Sequence, residues 1–170
     1  QTQGWKQVML TRRNKMGCLW YLDGSSFEMI DVAIPMIHGA WGEDGSLQGC
    51  LEVAGLPYVG NTVAAMANTM DKITTKQLCE QHGVTIVPYL IASAHDDVVM
   101  LMQQSSLAYP VFVKAANQGS SFGVYLVEND LQLSKAVAKA LAYSSSVLIE
   151  TCIKGRELEL AVYDVNGEVC

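Results

Sequence analysis

"VFVKAANQGSSFGVYLV", residues 111–127, sets Lys114 near the end of one β-rich run, follows it with a loop of small and polar residues, and resumes with a second β-rich run. Two common phosphate cradles are excluded by this order. A P-loop needs G-x-x-x-x-G-K-[ST] opening a helix, and a dinucleotide fingerprint needs G-x-G-x-x-G in the same setting, whereas here the lysine precedes the glycines and a strand follows them. What remains is a hairpin whose tip, Gln118 to Gly123, is rich in amides and hydroxyls. Such a tip can fold over a polyphosphate, with Ser120, Ser121 and backbone N–H groups donating hydrogen bonds while Lys114 supplies a point charge. Taken alone, the same residues also fit an ordinary hairpin with a surface lysine.

The flanking sequence predicts an α+β unit. Asn129 is placed to cap a helix over "DLQLSKAVAKALAY", with Leu131, Val137, Ala138 and Leu141 as its apolar face. Two strands are expected next, "SVLIETCI" and "RELELAVYDV", separated at "KG", and Asn166-Gly167 signals a tight turn into another strand. Upstream of the hairpin, "VTIVPYLI" reads as extended, and Ser93 with Asp96 reads as the cap of a helix running through about Ser105. Further upstream, "TVAAMANTMDKITTKQLCEQHG" reads as one broken helix or two, ending at Gly83.

Toward the amino terminus the pattern changes to part of an α/β unit. "KQVMLTRRNKMGCLWYLDGSS" predicts two short strands around a polar turn at Asn14, and "IDVAIPMIH" a buried strand. It runs into "MIHGAWGEDGSLQG", residues 36–49, which holds Gly39, Gly42, Gly45 and Gly49. So many glycines cost backbone entropy without an evident need in a plain connection, which implies a close approach to this backbone. Asp44 is the expected cap of the helix that follows, Leu47, Cys50, Leu51 and Ala54 recur at helical spacing, and Gly55 with Pro57 is its stop. "LPYVGN" then gives a short strand or turn. The chain therefore divides near residue 71, into an α/β unit over 1–70 and an α+β unit over 71–170.

Three further residues are candidates for the same cleft as Lys114. Glu150 ends the apolar run "VLIE", and Glu157 follows the "KG" turn, so one acid can face a base and the other a ribose diol. Each, taken singly, also fits an exposed strand end. Lys72 is a second candidate phosphate contact, or a solvated helix lysine.

Composition narrows the partners. The chain has 170 residues, half of them hydrophobic, enough for a sizeable core. Its 17 acidic against 11 basic residues give a formal charge of −6, which argues against a reader of nucleic-acid backbones. The basic cluster Arg12, Arg13 and Lys15 reads as a solvated turn. Five scattered cysteines without a C-x-x-C pair suggest neither a disulfide framework nor a zinc knuckle, and a reducing cytoplasm fits them; Cys50 and Cys79 fall in helical apolar patterns and read as packed small hydrophobes. No signal peptide and no apolar run long enough to span a bilayer is seen, so no membrane partner is expected. Both ends read as the middle of something longer.

Five segments, in order, resemble the D-alanine:D-alanine ligase family: "HGAWGEDGSLQG", which fits the first signature H-G-x-x-G-E-D-G, then "LEVAGLPYVG", "AMANTMDKITTK", "YPVFVKAANQGSSFGV" and "VLIETCIKGRELELAV". The resemblance implies an ATP-grasp ligase that joins two D-amino acids in peptidoglycan precursor synthesis, with nucleotide between two α+β subdomains under a glycine-rich lid hairpin. The amino-terminal unit would then be preATP-grasp-like. By this resemblance Lys72 and Lys114 are phosphate-binding lysines, and Glu150, Cys152, Ile153 and Glu157 are adenine and ribose contacts. Ser120 and Ser121 resemble lid serines that close on the reacting groups, His38 and Glu43 a substrate-side pair, while Asp44 and Ser46 remain helix-capping residues. The implied cofactors are ATP and Mg²⁺, the implied substrates D-alanine or similar D-amino acids, and a homodimer is the family's usual assembly.

The family's chemistry passes through an acyl phosphate of the first D-alanine, which calls for lysines, amide dipoles and a metal ion rather than a protein nucleophile. Ala115 departs from the family, which usually has proline there. The residues that hold Mg²⁺ in the family are expected downstream of Cys170, and Asp164 and Glu168 read as surface acids rather than metal ligands. The 170 residues are therefore expected to be inactive alone. Two other readings stay open: a nucleotide-binding module without catalysis, and a relative whose second substrate is D-serine or D-lactate.

Overall fold

The computed structural model describes residues 6–165 and 168–169. The architecture is mixed α/β with antiparallel sheets. In the amino-terminal half β1 (Val8–Arg13), β2 (Met16–Tyr21) and β3 (Phe27–Met29) form an antiparallel meander in that order. The β1–β2 turn is the polar one expected, with Asn14 and Lys15 both at positive φ, the conformation a two-residue hairpin loop requires.

Helix α1 (Ser46–Ala54) packs on β1 and β2, burying Leu51, Ala54 and Leu56 with Cys18. It stops at Gly55 in the left-handed conformation, as the sequence indicates. Its cap is Gly45 rather than Asp44; the Asp44 carboxylate instead accepts from the N–H groups of Trp41 and Ser46, tying the loop to the helix's first residue. Cys50 is exposed, contrary to the packed position expected, because it faces away from the buried Leu51 and Ala54 stripe.

"IDVAIPMIH" is not a buried strand. It makes an isolated parallel bridge, Ala33 to Tyr58, and leaves Ile34, Met36 and Ile37 exposed. Pro35 lacks an N–H for a ladder, and no further strand of the described residues pairs with the segment.

Helices α2 (Val63–Met70) and α3 (Lys72–Gln81) meet at Asp71, which ends one and caps the other. Four strands make the second sheet, β4 (Tyr89–Ser93), β5 (Val111–Ala115), β6 (Val124–Val127) and β7 (Ser146–Thr151), in the order β4-β7-β5-β6 with every neighbour antiparallel. Helices α4 (Val98–Gln104) and α5 (Asp130–Ala140) pack together, and α5 lies on β5 and β6. The core between them holds Val111, Val113, Val127, Leu133, Val137, Val147 and Ile149, each at most 4% exposed. At about 1.5–3 kcal/mol for each large apolar side chain removed from water, this layer is the main source of stability in this half.

Three local expectations change. Asp97, not Ser93, caps α4; Ser93 donates both its N–H and its hydroxyl to Asp96 in the turn ahead of the helix. Asn129 does cap α5, but the buried face is Leu133, Ala136, Val137 and Ala140, with Leu131 exposed, because the face toward the sheet is the one three, four and seven residues on from Leu133. "RELELAVYDV" forms strand only at β8 (Asp164–Val165), which pairs with β9 (Glu168–Val169), and Leu158 and Leu160 are exposed. Asn166-Gly167, the expected tight turn, lies outside the described residues.

Candidate active site

Lys114 sits on β5, the strand next to β7 in the sheet, so its side chain shares a face with Glu150, whose cross-strand neighbours are Tyr89 and Phe112. The Lys114 ammonium lies 2.5 Å from Glu150 Oε2, and Lys76 from α3 lies 3.0 Å from Oε1. Glu150 is only 5% exposed, so it is not the surface strand-end acid that its position alone allows. Burial pushes its carboxyl up, but the hydrogen bonds and charges of Lys114 and Lys76 outweigh burial and hold it below the ordinary range.

Lys72 opens α3 and donates its ammonium to the carbonyl of Gln118, while its backbone N–H bonds to the Ala116 carbonyl. Burial lowers its pKa, and the neighbouring Lys114 charge lowers it further, against the opposing pull of Glu150 and Asp71. Two close lysines in a half-buried pocket are poised for an anion that would relieve both effects.

The hairpin loop is anchored at its foot and open at its tip. Asp71 accepts from the Thr74 N–H and from the Asn117 amide, Asn117 in turn accepts from Ser144, and the Gln118 amide donates to the Tyr143 carbonyl. Beyond this foot Ser120 and Ser121 are exposed and stand in succession at φ 49° and 62°. A successive pair of such residues is strained, and strain of this kind gathers where a loop holds a ligand. The loop closes at Gly123, where φ is +70° and a Cβ would come within 2.7 Å of the Ala115 Cβ.

These elements enclose a cavity of about 350 Å³ lined by Lys72, Phe112, Lys114, Gln118, Gly119, Ser120, Ser121, Val124 and Glu157. Thus Lys72, Lys114, Ser120, Ser121 and Glu157 converge, and Glu150 stands directly behind Lys114. Cys152 and Ile153 do not line this cavity; Cys152 is half-buried with its N–H on the Pro110 carbonyl, and Ile153 is 61% exposed.

His38 and Glu43 lie in a neighbouring hollow of about 200 Å³ with Gln48, Asn61 and Met66. His38 Nδ1 is 3.8 Å from Glu43 Oε1, and Glu43 Oε2 accepts the Gly39 N–H at 2.5 Å. Here Gly42 and Gly45 have their reason, whereas a Cβ on Gly39 or Gly49 would meet nothing within 4 Å. A Cβ on Gly42 would stand 2.3 Å from the Ile37 carbonyl, and Gly45 combines φ +88° with a 2.7 Å approach to the Val63 carbonyl. The two glycine-rich loops also meet, since a Cβ on Gly119 would lie 3.3 Å from Gly39 Cα and 3.6 Å from Glu43 Oε2.

Two residues escaped sequence reading. Lys76 follows Lys72 by four positions, the spacing that puts both on one helix face, and that was the available signal. Gln48 is buried, donates to the Gly42 carbonyl, and shores up the loop from within the helix.

The family profile described as D-ala D-ala ligase C-terminus matches residues 78–170, and that described as D-ala D-ala ligase N-terminus matches residues 12–61. The chain belongs to the D-Ala-D-Ala ligase family. Among its relatives, the D-alanine--D-alanine ligase of Proteus mirabilis is 41% identical over 142 residues, 82% of this chain and 39% of that protein. That of Streptococcus pneumoniae strain CGSP14 is 44% identical over 141 residues, 80% of this chain and 41% of that protein. In three dimensions the chain is similar to D-alanyl-alanine synthetase A of Vibrio cholerae, with a TM-score of 0.84 at 33% identity, covering 99% of this chain and 52% of that one. The chain thus spans about two fifths of the length of these curated ligases.

Proposed function

We propose that the chain forms two walls of the site of an ATP-dependent ligase that joins two D-amino acids, D-alanine foremost, for peptidoglycan precursor synthesis. Residues 1–70 make the substrate side and residues 71–170 the nucleotide side. One observation carries the reading: Gly119 approaches Gly39 and Glu43, so the loop bearing Ser120 and Ser121 stands between a lysine-lined cavity and the His38–Glu43 pair.

ATP bound in that cavity supplies the phosphoryl group that activates a carboxylate. Lys72 and Lys114 fit this ligand because they are cationic, close together and cavity-facing, and they spread the charge of its phosphates. Ser120, Ser121 and the loop amides donate to phosphate oxygens, and Glu157 accepts from the ribose hydroxyls. The base extends past this lining toward the strand end at Cys152 and Ile153, while Glu150, held by Lys76 and Lys114, acts from behind Lys114. His38 and Glu43 orient the amino acid beyond the loop, and the hairpin excludes water from the reacting carboxylate. Among the described residues there is no group of three His, Cys, Asp or Glu side chains that fits a metal, so no step through Mg²⁺ is derived from them.

Lysine acylation tests the reading. With Mg-ATP present, Lys72 and Lys114 are protected from modification while exposed Lys135 reacts as before. Equal modification of all three with and without nucleotide contradicts it.

A further inference from the structure

Lys76 is locked behind Glu150. Its ammonium lies 3.0 Å from Oε1, donates to the Val87 carbonyl at 3.0 Å, and stands 5.0 Å from the centroid of the Tyr89 ring. Its side chain is 13% exposed and is not among those lining the cavity. Lys114 takes the other oxygen of the same carboxylate, is 30% exposed, and does line the cavity. One buried carboxylate therefore holds two ammonium groups, a fixed one on the inner side and a reachable one on the cavity side.

This arrangement matters when an anion enters. A phosphate group in the cavity competes with Glu150 for Lys114. Were Lys114 the sole counter-charge, its departure would strand an unpaired carboxylate in the protein interior, a strongly unfavourable state. Lys72 forms no ion pair with Glu150 among the described residues; its ammonium donates to the Gln118 carbonyl on the cavity wall, where it meets the same incoming anion. Lys76 already occupies Oε1 and is held there by contacts that the ligand does not reach.

We propose that Lys76 is a positioning residue, the resident counter-charge of Glu150, which frees Lys114 to leave that carboxylate for a phosphate-bearing ligand. The proposal rests on the reading of the cavity as a nucleotide-phosphate site. It differs from a simple tie between α3 and the sheet, because a tie would affect stability alone, whereas a counter-charge makes phosphate affinity depend on the charge of Glu150.

The test is calorimetric titration of the folded chain with magnesium tripolyphosphate, which has neither base nor ribose. Lys76→Met is expected to weaken binding by about tenfold or more, because Glu150 then retains Lys114. Lys76→Arg, which keeps the charge, should stay within about threefold of the wild type. Lys76→Met combined with Glu150→Gln should regain most of the loss, since a neutral amide no longer competes for Lys114. Unchanged binding by Lys76→Met, or a double variant as weak as Lys76→Met, overturns the proposal. Should Lys76→Met fail to fold by circular dichroism, Glu150→Gln alone decides: binding at least as tight as wild type supports it, weaker binding overturns it. A wild-type chain that takes Mg-ATP but not tripolyphosphate overturns this proposal alone, whereas one that takes neither also contradicts the nucleotide reading.

Discussion

Gly119, in the loop between β5 and β6, packs against Gly39 of the loop ahead of α1, leaving 3.3 Å between the Gly39 Cα and the place a Cβ on Gly119 would occupy. Backbone against backbone at this distance admits a methyl only with a small shift and a branched side chain not at all. Gly119→Val should therefore push the loops apart. The Gly39 amide, bonded to Glu43 in the closed arrangement, should exchange with solvent about tenfold faster, equivalent to roughly 1.4 kcal/mol of lost protection. Unaltered exchange at Gly39 would mean that the two loops do not support each other.

Gly123 and Gly83 separate backbone strain from crowding. Both have φ near +70°, but a Cβ at Gly83 meets nothing within 4 Å, while one at Gly123 lies 2.7 Å from the Ala115 Cβ. Gly83→Ala should lower stability by about 1–2 kcal/mol, the left-handed backbone penalty. Gly123→Ala should lower it by about 2–4 kcal/mol, because overpacking adds to that penalty. Urea unfolding midpoints check the order.

Glu150 gives the fold a share of its acid sensitivity. The folded carboxyl titrates below its ordinary value of about 4.3, so its contribution is complete above that value and is lost as pH falls through the lowered one. Glu150→Gln should then unfold with a flatter dependence on pH below about 4.3 than the wild type. Parallel curves for the two chains would show that the lysine pair does not act on this carboxyl.

Asp71 serves two structures at once, the start of α3 and the foot of the hairpin. Asp71→Ala should cost about 1–2 kcal/mol, the loss of a cap and a hydrogen bond to a charged group. Asn117→Ala should cost less, and a double-mutant cycle should show coupling of about 0.5–1.5 kcal/mol between them. Strict additivity would place the anchor of the hairpin elsewhere.

The hairpin and the stop of α1 at Gly55 were legible in the sequence because each depends on local chemistry, alternation and a left-handed glycine, whereas the helical stretch before Gly83 was legible as one broken helix or two without its break at Asp71. The glycine-rich stretch at 39–45 was legible as a place of close approach, but its partner was not, since Gly119 lies far along the chain. Apolar runs misled where a strand needs a neighbour. "IDVAIPMIH" and "RELELAVYDV" both have strand composition, yet Ile34, Met36, Leu158 and Leu160 stay exposed, because pairing is a tertiary property. The burial of Glu150 and its second lysine was hidden for the same reason: α3 brings Lys76 across the sheet edge only once the fold exists.

The central claim, that the cavity lined by Lys72, Lys114 and the hairpin loop holds the phosphates of a nucleotide, is tested most directly by calorimetric titration of the folded chain with Mg-ATP beside Lys72→Ala and Lys114→Ala. The account predicts saturable binding by the wild type that weakens in both variants, by about tenfold or more for loss of a charged contact. Absence of binding by a demonstrably folded wild-type chain, or equal binding by all three, would contradict it.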